Sequence, residues 1–210
     1  MGEELAKLLE VGFITEIKHP DWLANLVMVP KKDKSWRPCG DYRSLNLRTV
    51  PDRYPMRNIA DFVDELTGCR IFSKIDLKSA YWQIPMASDS VAKTAITTPF
   101  GLFEFIKMPF GLRNASQTFQ RFADNIFRNL PFVYNYVDDL LIASQSEDEH
   151  DQHLKQLFQV LADHHLTINA EKSQFFADKI NFLGYVVTAD GLQVDNEKVR
   201  AIKEFPTPKS

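Results

Sequence analysis

Two adjacent carboxylates, Asp138 and Asp139, follow one short apolar run and precede another, residues 132–137 and 140–142. Runs of this length predict two β-strands, and the Asp-Asp pair between them predicts a tight hairpin turn. Carboxylates beside buried strands are costly to desolvate unless a partner binds them, and a divalent cation is the usual partner. An Asp-rich turn exposed to water is the alternative interpretation of this pair taken alone.

A third carboxylate, Asp76, ends another apolar run, residues 71–75. Carboxylates that converge from two strands can hold two Mg²⁺ ions, the arrangement used for in-line phosphoryl transfer. The three carboxylates together therefore favour a metal-dependent phosphoryl-transfer site over a solvated turn.

The composition is that of a globular protein. Its 210 residues suffice for one large domain or two small ones, and the 44% hydrophobic and 25% charged fractions are ordinary. No apolar run has the length of a membrane span and the N-terminus has no basic-then-apolar signal pattern, so we expect an intracellular, cytoplasmic protein without a membrane partner. Cys39 and Cys69 are predicted to be free thiols.

Charge is distributed unevenly along the chain, although the formal net charge is only −3. Lys and Arg outnumber Asp by eight to three in residues 31–57, whereas residues 138–151 carry acidic side chains and no Lys or Arg. A basic segment together with an acidic one suits an enzyme that handles phosphates and binds metals. An ordinary uneven surface is the alternative.

The order of elements after residue 70 predicts an α+β fold. Apolar periodicity predicts a strand, a helix, two strands, a helix, a strand-turn-strand, a helix and a final strand. This is the split βαβ (ferredoxin-like) pattern, a sheet with helices on one face. Earlier in the chain, residues 3–10 predict a helix with its three leucines inward, and Trp36 begins a weak edge strand.

Several element boundaries follow from local signals. Ser146 with Glu149 predicts the N-cap of a helix. Short strands are also expected over residues 93–97, 166–168 and 182–185.

Four segments carry a family resemblance, and they stand in a fixed order: FSKIDLKSAYWQI at 72–84, KMPFGLRNA at 107–115, YVDD at 136–139 and FLGY at 182–185. They resemble motifs A, B, C and E of the reverse transcriptases of gypsy-type LTR retrotransposons. Residues 29–46 resemble the fingers of the same family. The resemblance covers nearly the whole chain, and the ordered set is specific where YVDD alone would be weak.

The resemblance implies a right-hand polymerase architecture, with a fingers subdomain and a palm built on the split βαβ sheet. Residues 1–70 would be mainly fingers and residues 71–190 mainly palm with motifs A to E. Whether part of 85–107 returns to the fingers is left open. Residues 191–210 would begin a linker to a thumb.

The resemblance also implies a two-metal site. Asp76, Asp138 and Asp139 match the metal-binding carboxylates, with Asp76 and Asp138 as the primary ligands, and the Leu77 carbonyl would face one ion. The expected ions are two Mg²⁺, with Mn²⁺ as an alternative. Lys172 matches the motif D lysine that acts as a general acid towards pyrophosphate, and a plain surface lysine is the alternative.

A nucleotide pocket is implied in the same way. Tyr81 matches the steric gate, whose ring leaves no room for a 2′-hydroxyl and so selects dNTPs. Arg37 and either Lys31 or Lys32 match the fingers residues that grip the triphosphate. The further nucleotide-binding positions are Ser79, Ala80, Phe110 and Gly111. The positions expected to contact primer and template are Tyr136, Val137, Phe182, Leu183, Gly184 and Tyr185.

The expected function is RNA-directed DNA polymerisation by a retrotransposon enzyme, with dNTPs and an RNA and DNA primer–template as ligands. Further Pol regions, namely thumb, connection, ribonuclease H and integrase, are the expected partners. The alternative is a truncated, inactive retroelement remnant that only binds nucleic acid or a protein partner.

Overall fold

The computed structural model describes residues 2–30, 36–194, 200 and 204. Two sequence predictions therefore lie outside the described residues. One is the choice between Lys31 and Lys32 as the lysine that grips the triphosphate. The other concerns most of the segment expected to be a linker, of which residues 191–194 are described.

Within the described residues, helices and strands combine in the α+β fold that the sequence predicts. The α-helices are α1 (Gly2–Glu10), α2 (Arg43–Arg48), α3 (Ser88–Val91), α4 (Ala115–Ile126) and α5 (Glu147–Asp163). The strands are β1 (Ile14–Glu16), β2 (Ala24–Pro30), β3 (Trp36–Gly40), β4 (Ile71–Asp76), β5 (Ile96–Thr98), β6 (Gly101–Phe105), β7 (Val133–Tyr136), β8 (Asp139–Ser144), β9 (Gln174–Ala177), β10 (Lys179–Phe182), β11 (Tyr185–Thr188) and β12 (Gly191–Val194). Short 3₁₀ turns occupy Ile59–Phe62, Asp64–Leu66, Ala80–Gln83, Ala92–Thr94 and Ala170–Lys172. None of the helices described is long and apolar enough to cross a membrane.

The chain divides into two compact units. The first unit comprises Met1–Pro55 and Ser79–Arg121, and the second comprises Met56–Lys78 and Phe122–Ser210.

The first unit is built on a five-stranded sheet with the strand order β1-β6-β5-β2-β3. Its neighbouring strands are antiparallel except for β2 and β5, which are parallel. Leu5 and Leu8 of α1 pack against Ile96 and Phe105 in the core of this unit. β3 lies at the edge of the sheet as predicted, where Pro38, which has no N–H to donate, is tolerated.

The second unit is built on a four-stranded antiparallel sheet with the strand order β7-β8-β4-β9. β4, the first of these strands in the chain, lies between the third and the fourth, as in the predicted split βαβ pattern. Because successive side chains of a strand point to opposite faces, β4 presents Phe72, Lys74 and Asp76 on one face and Ser73 and Ile75 on the other.

Helix α5 covers the face of the sheet that carries Ser73. It begins as predicted, because the Ser146 hydroxyl accepts a hydrogen bond of 3.3 Å from the Glu149 N–H. Its fully buried His150 lies 2.7 Å from the Ser73 hydroxyl, measured from Nε2 to Oγ. The apolar face of α5 then buries Leu157 among other leucines.

The three-stranded sheet β10-β11-β12 covers the opposite face. Phe72 of β4 and Leu141 of β8 share a buried cluster with Tyr134 and with Phe182 of β10. The Tyr134 and Phe182 rings meet nearly edge to face, with centroids 5.8 Å apart. Lys74, Asp76 and their neighbours on β8 therefore lie on the same side of the four-stranded sheet as this cluster.

Two predicted strands are wrong. Residues 182–185 form the connection between β10 and β11, where Phe182 pairs with Tyr185. Leu183 (φ +50°) and Gly184 (φ +79°) both adopt the left-handed conformation that a two-residue hairpin turn requires. Residues 166–168 form no strand and contribute one isolated bridge, between Ile168 and Leu77.

Two further expectations need correction in the first unit. The strand predicted over residues 93–97 begins only at Ile96, because the chain first completes the 3₁₀ turn Ala92–Thr94. Leu9 was expected to point inward and is 47% exposed, because Leu5 and Leu8 already fill the buried face of the short helix α1.

Candidate metal site and nucleotide-binding residues

The turn between β7 and β8 consists of Val137 and Asp138, since Tyr136 pairs with Asp139 across it. The predicted turn of Asp138 and Asp139 is therefore displaced by one residue, and Asp139 is the first residue of β8. Val137 has φ +52°, a conformation that costs a β-branched residue free energy and that the surrounding strands must enforce. The Leu77 N–H donates a hydrogen bond of 2.8 Å to the Asp138 carbonyl, which ties the turn to the end of β4.

Asp76 and Asp139 are direct partners in the register of β4 and β8. Side chains of directly opposed residues share one face of a sheet and lie close together. The structure thus brings together two of the three predicted carboxylates, and Asp138 lies in the adjoining turn with its side chain exposed.

Two lysines accompany this carboxylate pair. The Lys74 ammonium lies 2.9 Å from Oδ1 of Asp139. Lys172 interacts electrostatically with Asp76 and lowers the pKa of that carboxyl group. We call Lys74, Asp76, Asp139 and Lys172 the carboxylate–lysine group.

The pKa of Asp76 is raised overall. Burial is the main cause, and the nearby Asp139 carboxylate adds to it, whereas Lys172, Lys74 and a hydrogen bond from Asn169 act in the opposite direction. A carboxylate in this position gains free energy from a cation that neutralises it.

Backbone contacts of Asp76 hold it in place. Its carbonyl accepts a hydrogen bond of 2.8 Å from the Asn169 N–H, and its own N–H donates to the Ser173 hydroxyl at 3.2 Å. The 3₁₀ turn that carries Lys172 lies between Asn169 and Ser173. Motif analysis did not single out Asn169 or Ser173, and the only local signal was that short polar side chains flank the predicted lysine.

The donor set suits a hard divalent cation, because Asp76, Asp138 and Asp139 supply carboxylate oxygens within one hairpin and its partner strand. In the part of the chain that is described, no group of three or more Asp, Glu, His or Cys side chains is arranged so that it could hold a metal ion. The contact between Lys74 and Asp139 directs one of the three carboxylates towards an ammonium group.

In the first unit, Tyr81 lies in the 3₁₀ turn Ala80–Gln83 and is held from two sides. Its hydroxyl is 2.7 Å from the Ser116 hydroxyl, and its ring centroid is 5.2 Å from that of Phe110 and 6.0 Å from that of Phe119. These contacts fix the ring in one orientation. Ala80 beside it is buried, and Ser79 before it adopts φ +51°.

Arg37 joins the same aromatic group. Its guanidinium carbon lies 4.0 Å from the centroid of the Phe110 ring, a cation–π geometry. Three predicted nucleotide-binding residues, Arg37, Tyr81 and Phe110, are therefore neighbours in the first unit.

Gly111 meets a steric requirement that only glycine satisfies easily. It has φ +96°, and a Cβ atom there would lie 3.1 Å from the Gly40 carbonyl oxygen. Asn46 clamps the same loop, donating through its amide to the Gly111 carbonyl at 2.8 Å and accepting from the Arg113 N–H at 2.9 Å. Asn46 lay within a segment that resembles the family, but no role was predicted for it, because a clamp between residues 65 positions apart leaves no local signal.

The predicted primer–template residues belong to the second unit and flank its buried cluster. Phe182 is fully buried, whereas Tyr136, Leu183 and Tyr185 are partly buried and pack against the same cluster. The Lys74 ammonium lies 5.8 Å from the centroid of the Phe182 ring. Gly184 completes the turn.

Comparison with known proteins agrees with this geometry. The family model for reverse transcriptase (RNA-dependent DNA polymerase) matches residues 29–187. The retrovirus-related Pol polyproteins of transposons gypsy and 297 from Drosophila melanogaster are 37% and 39% identical over 216 and 211 residues. These matches cover 99% and 98% of this chain but 21% and 20% of the relatives, so the chain spans about a fifth of their length.

A solved structure is also similar: foamy viral protease-reverse transcriptase dRH in complex with double-stranded DNA. It has a TM-score of 0.88 and 25% sequence identity over 96% of this chain and 36% of that chain. The α+β fold is that of a polymerase with palm and fingers. The chain belongs to the reverse transcriptase family, and the predicted resemblance to the gypsy type is confirmed. Use of divalent metal ions is general in this family.

Proposed function

We propose that this chain carries the polymerase chemistry of a gypsy-type retrotransposon: it adds dNTPs to a primer 3′-hydroxyl, copying an RNA template into DNA. The observation that supports this most directly is the register pairing of Asp76 with Asp139, beside Asp138, in a chain of the reverse transcriptase family. Template sequence would be read by base pairing, so phosphate contacts would dominate binding of the duplex, and affinity would fall as salt rises.

The metal-binding residues in this proposal are Asp76, Asp138 and Asp139, with the Leu77 carbonyl as a further oxygen ligand. Two Mg²⁺ ions held there would activate the primer 3′-hydroxyl and stabilise the leaving pyrophosphate, and Mn²⁺ is the alternative ion. The hydrogen bond from Leu77 to the Asp138 carbonyl supports this set, because it ties the two backbone segments together.

Lys172 is proposed as the general acid that delivers a proton to pyrophosphate. Its interaction with Asp76 supports the role, since it brings an ammonium group near the carboxylate that would hold a metal ion at the site of phosphoryl transfer. The hydrogen bonds of the Asn169 N–H and the Ser173 hydroxyl to the Asp76 backbone would keep the lysine within reach.

Tyr81 is proposed as the steric gate against ribonucleotides. A gate must be rigid, because a ring that could swing aside would admit the 2′-hydroxyl. The Ser116 hydrogen bond and the Phe110 and Phe119 rings supply that rigidity.

Arg37, Ser79, Ala80, Phe110 and Gly111 complete the proposed nucleotide site. A guanidinium stacked on Phe110 is oriented so that its remaining N–H groups can bind triphosphate oxygens. Glycine at 111 lets the backbone approach the nucleotide closely. Lys31 or Lys32 would add a second cation.

Primer and template are proposed to contact Tyr136 at the end of β7, Val137 of the β7–β8 turn, and Leu183, Gly184 and Tyr185 of the β10–β11 hairpin. Phe182 is fully buried and would support this hairpin from inside. The partly buried Tyr136, Leu183 and Tyr185 support this, because each is anchored to the buried cluster yet keeps an accessible edge. We also propose that residues 1–70 are mainly fingers and residues 71–190 mainly palm. The thumb, connection, ribonuclease H and integrase would be supplied by other regions of a Pol polyprotein, because the chain spans about a fifth of its relatives.

Primer extension on an RNA template with Mg²⁺ and dNTPs tests the proposal. Wild type should extend the primer, Asp138→Asn should not, and Asp148→Asn, an exposed position on α5, should behave as wild type. Extension that survives Asp138→Asn would contradict the metal site. Salt-sensitive primer–template binding by all three proteins without extension would contradict polymerase activity and favour the binding remnant.

A further inference from the structure

Lys74 occupies a position where an apolar residue would be expected. It lies on β4 between Phe72 and Asp76, on the face that packs against the buried cluster of the second unit. Its side chain is 26% exposed and that of Asp139 is 25% exposed, so the pair is largely shielded from water. Lysine is costly to place in such surroundings unless its ammonium group has partners.

Two partners hold the ammonium group. Oδ1 of Asp139 is 2.9 Å away, and the centroid of the Phe182 ring is 5.8 Å away, inside the range of a cation–π contact. The ammonium also lowers the pKa of Asp76. One cation therefore acts on both opposed carboxylates of the carboxylate–lysine group.

We propose that Lys74 is a positioning residue. Its ammonium group acts as an internal counter-cation that holds Asp139 and competes with the divalent ion for that carboxylate. This inference rests on the proposed function, because it concerns the same metal site. The inference is based on the contact of Lys74 with Asp139, which lies opposite Asp76. The sequence motifs predict no role for Lys74.

The competition predicts that loss of the Lys74 ammonium group strengthens metal binding. A carboxylate oxygen that accepts a hydrogen bond from an ammonium group must give up or weaken that hydrogen bond when it binds a metal ion. Replacing the ammonium group by a neutral one leaves Asp76 and Asp139 facing each other with less positive charge near them. Removal of one partly shielded unit charge within a few ångströms should strengthen binding of a divalent cation by about tenfold.

Mn²⁺ binding, followed by the electron paramagnetic resonance signal of free Mn²⁺, tests the inference without measuring catalysis. Lys74→Met should lower the Mn²⁺ dissociation constant by about tenfold, and Lys74→Arg, which keeps the charge, should restore the wild-type value. Lys179→Met removes an exposed lysine of β10 and is the matched control, expected to match wild type. Lys74→Gln replaces Lys74→Met if the latter fails to fold by circular dichroism.

Asp76→Asn separates the two proposals. If Asp76→Asn loses Mn²⁺ binding while Lys74→Met binds no more tightly than wild type, Lys74 serves packing alone and the inference is overturned, whereas the proposed metal site stands. If wild type and Asp76→Asn bind Mn²⁺ equally or not at all, both the proposed site and the inference are overturned.

Discussion

His150 and Ser73 are joined inside the second unit, with Nε2 of the imidazole 2.7 Å from the serine hydroxyl oxygen. The other ring nitrogen, Nδ1, lies 2.7 Å from the Ser144 hydroxyl, so one fully buried imidazole connects α5 with both β4 and β8. Ser73 and Ser144 lie on the two strands that carry Asp76 and Asp139. The packing of α5 and the alignment of the carboxylates thus share one hydrogen-bonded connection.

This connection predicts a loss of stability in acid. Burial, followed by the neighbouring His153, lowers the pKa of His150 to about 4 from 6.5. The unfolded chain therefore takes up the proton more readily than the folded chain does. The contribution to stability is complete above pH 6.5 or so and is lost as the pH falls towards 4. The free energy of unfolding should fall by up to about 3 kcal/mol across that window.

Urea unfolding of wild type and His150→Gln at several pH values between 7 and 4 measures this loss. The variant should have a flatter stability profile, because carboxylates titrate in both proteins and only the histidine differs. His164→Gln, at an exposed position, is the control and should follow wild type. Parallel profiles for wild type and His150→Gln would contradict the prediction.

Tyr81→Ala should weaken discrimination against ribonucleotides. Removing the ring opens the space in which a 2′-hydroxyl would fit, so the ratio of dNTP to rNTP incorporation efficiency should fall by about 10- to 100-fold. Single-nucleotide insertion kinetics with dGTP and GTP measure it. Ser116→Ala removes only the hydroxyl partner of Tyr81 and should produce a smaller change in the same direction. An unchanged ratio in Tyr81→Ala would show that the gate lies elsewhere.

Gly111→Ala should destabilise the first unit. Alanine there meets both a positive φ and a Cβ contact of 3.1 Å with backbone, so a loss of about 2–3 kcal/mol is expected. Gly191→Ala has a similar φ of +108° with nothing within 4 Å, and it should lose only about 1 kcal/mol. Chemical unfolding of both variants separates the free-energy cost of the steric contact from that of the backbone conformation. Equal losses of unfolding free energy would mean that the loop around Gly111 shifts to make room for the Cβ atom.

Arg37→Lys should behave differently from a simple conservative change. Lysine keeps the charge but loses the planar group that stacks 4.0 Å above Phe110 and the second N–H donor for a phosphate. We expect kcat/KM for dNTP to fall by about tenfold in Arg37→Lys and further in Arg37→Ala, with primer–template affinity little changed. Equal losses of dNTP efficiency and duplex affinity would instead make Arg37 a general phosphate contact.

Periodicity and capping were sufficient to predict much of the second unit. The alternation of β4, the apolar runs around the carboxylates and the Ser146 cap of α5 each reflect a local preference that the tertiary structure keeps. The displaced β7–β8 turn shows the limit, because turn propensity favours Asp138 and Asp139 over Val137 and Asp138. Only the pairing of Tyr136 with Asp139, which forces φ +52° on Val137, decides between them.

Contacts between distant segments were not predictable from local patterns. The clamp of Asn46 on the loop at Gly111 and the ion pair of Lys74 with Asp139 join residues 65 positions apart in each case. Asn114 is a further example. Its side-chain oxygen accepts a hydrogen bond of 3.0 Å from the Asp52 N–H, and its amide group donates one to the Val50 carbonyl. The sequence motifs predict the residues of the candidate site, whereas the contacts that support those residues became visible only in three dimensions.

The alternation along β4 makes its length harder to change than its composition. Neighbouring positions of β4 point to opposite faces of the sheet. Lys74 and Asp76 lie on the face that carries the paired carboxylates, and Ser73 and Ile75 lie on the face that α5 covers. Loss or gain of one residue would exchange the two sets, turning the charges towards the helix and the serine away from its histidine. Over evolutionary time this strand should therefore tolerate exchanges of residue type at single positions while insertions and deletions within it are eliminated.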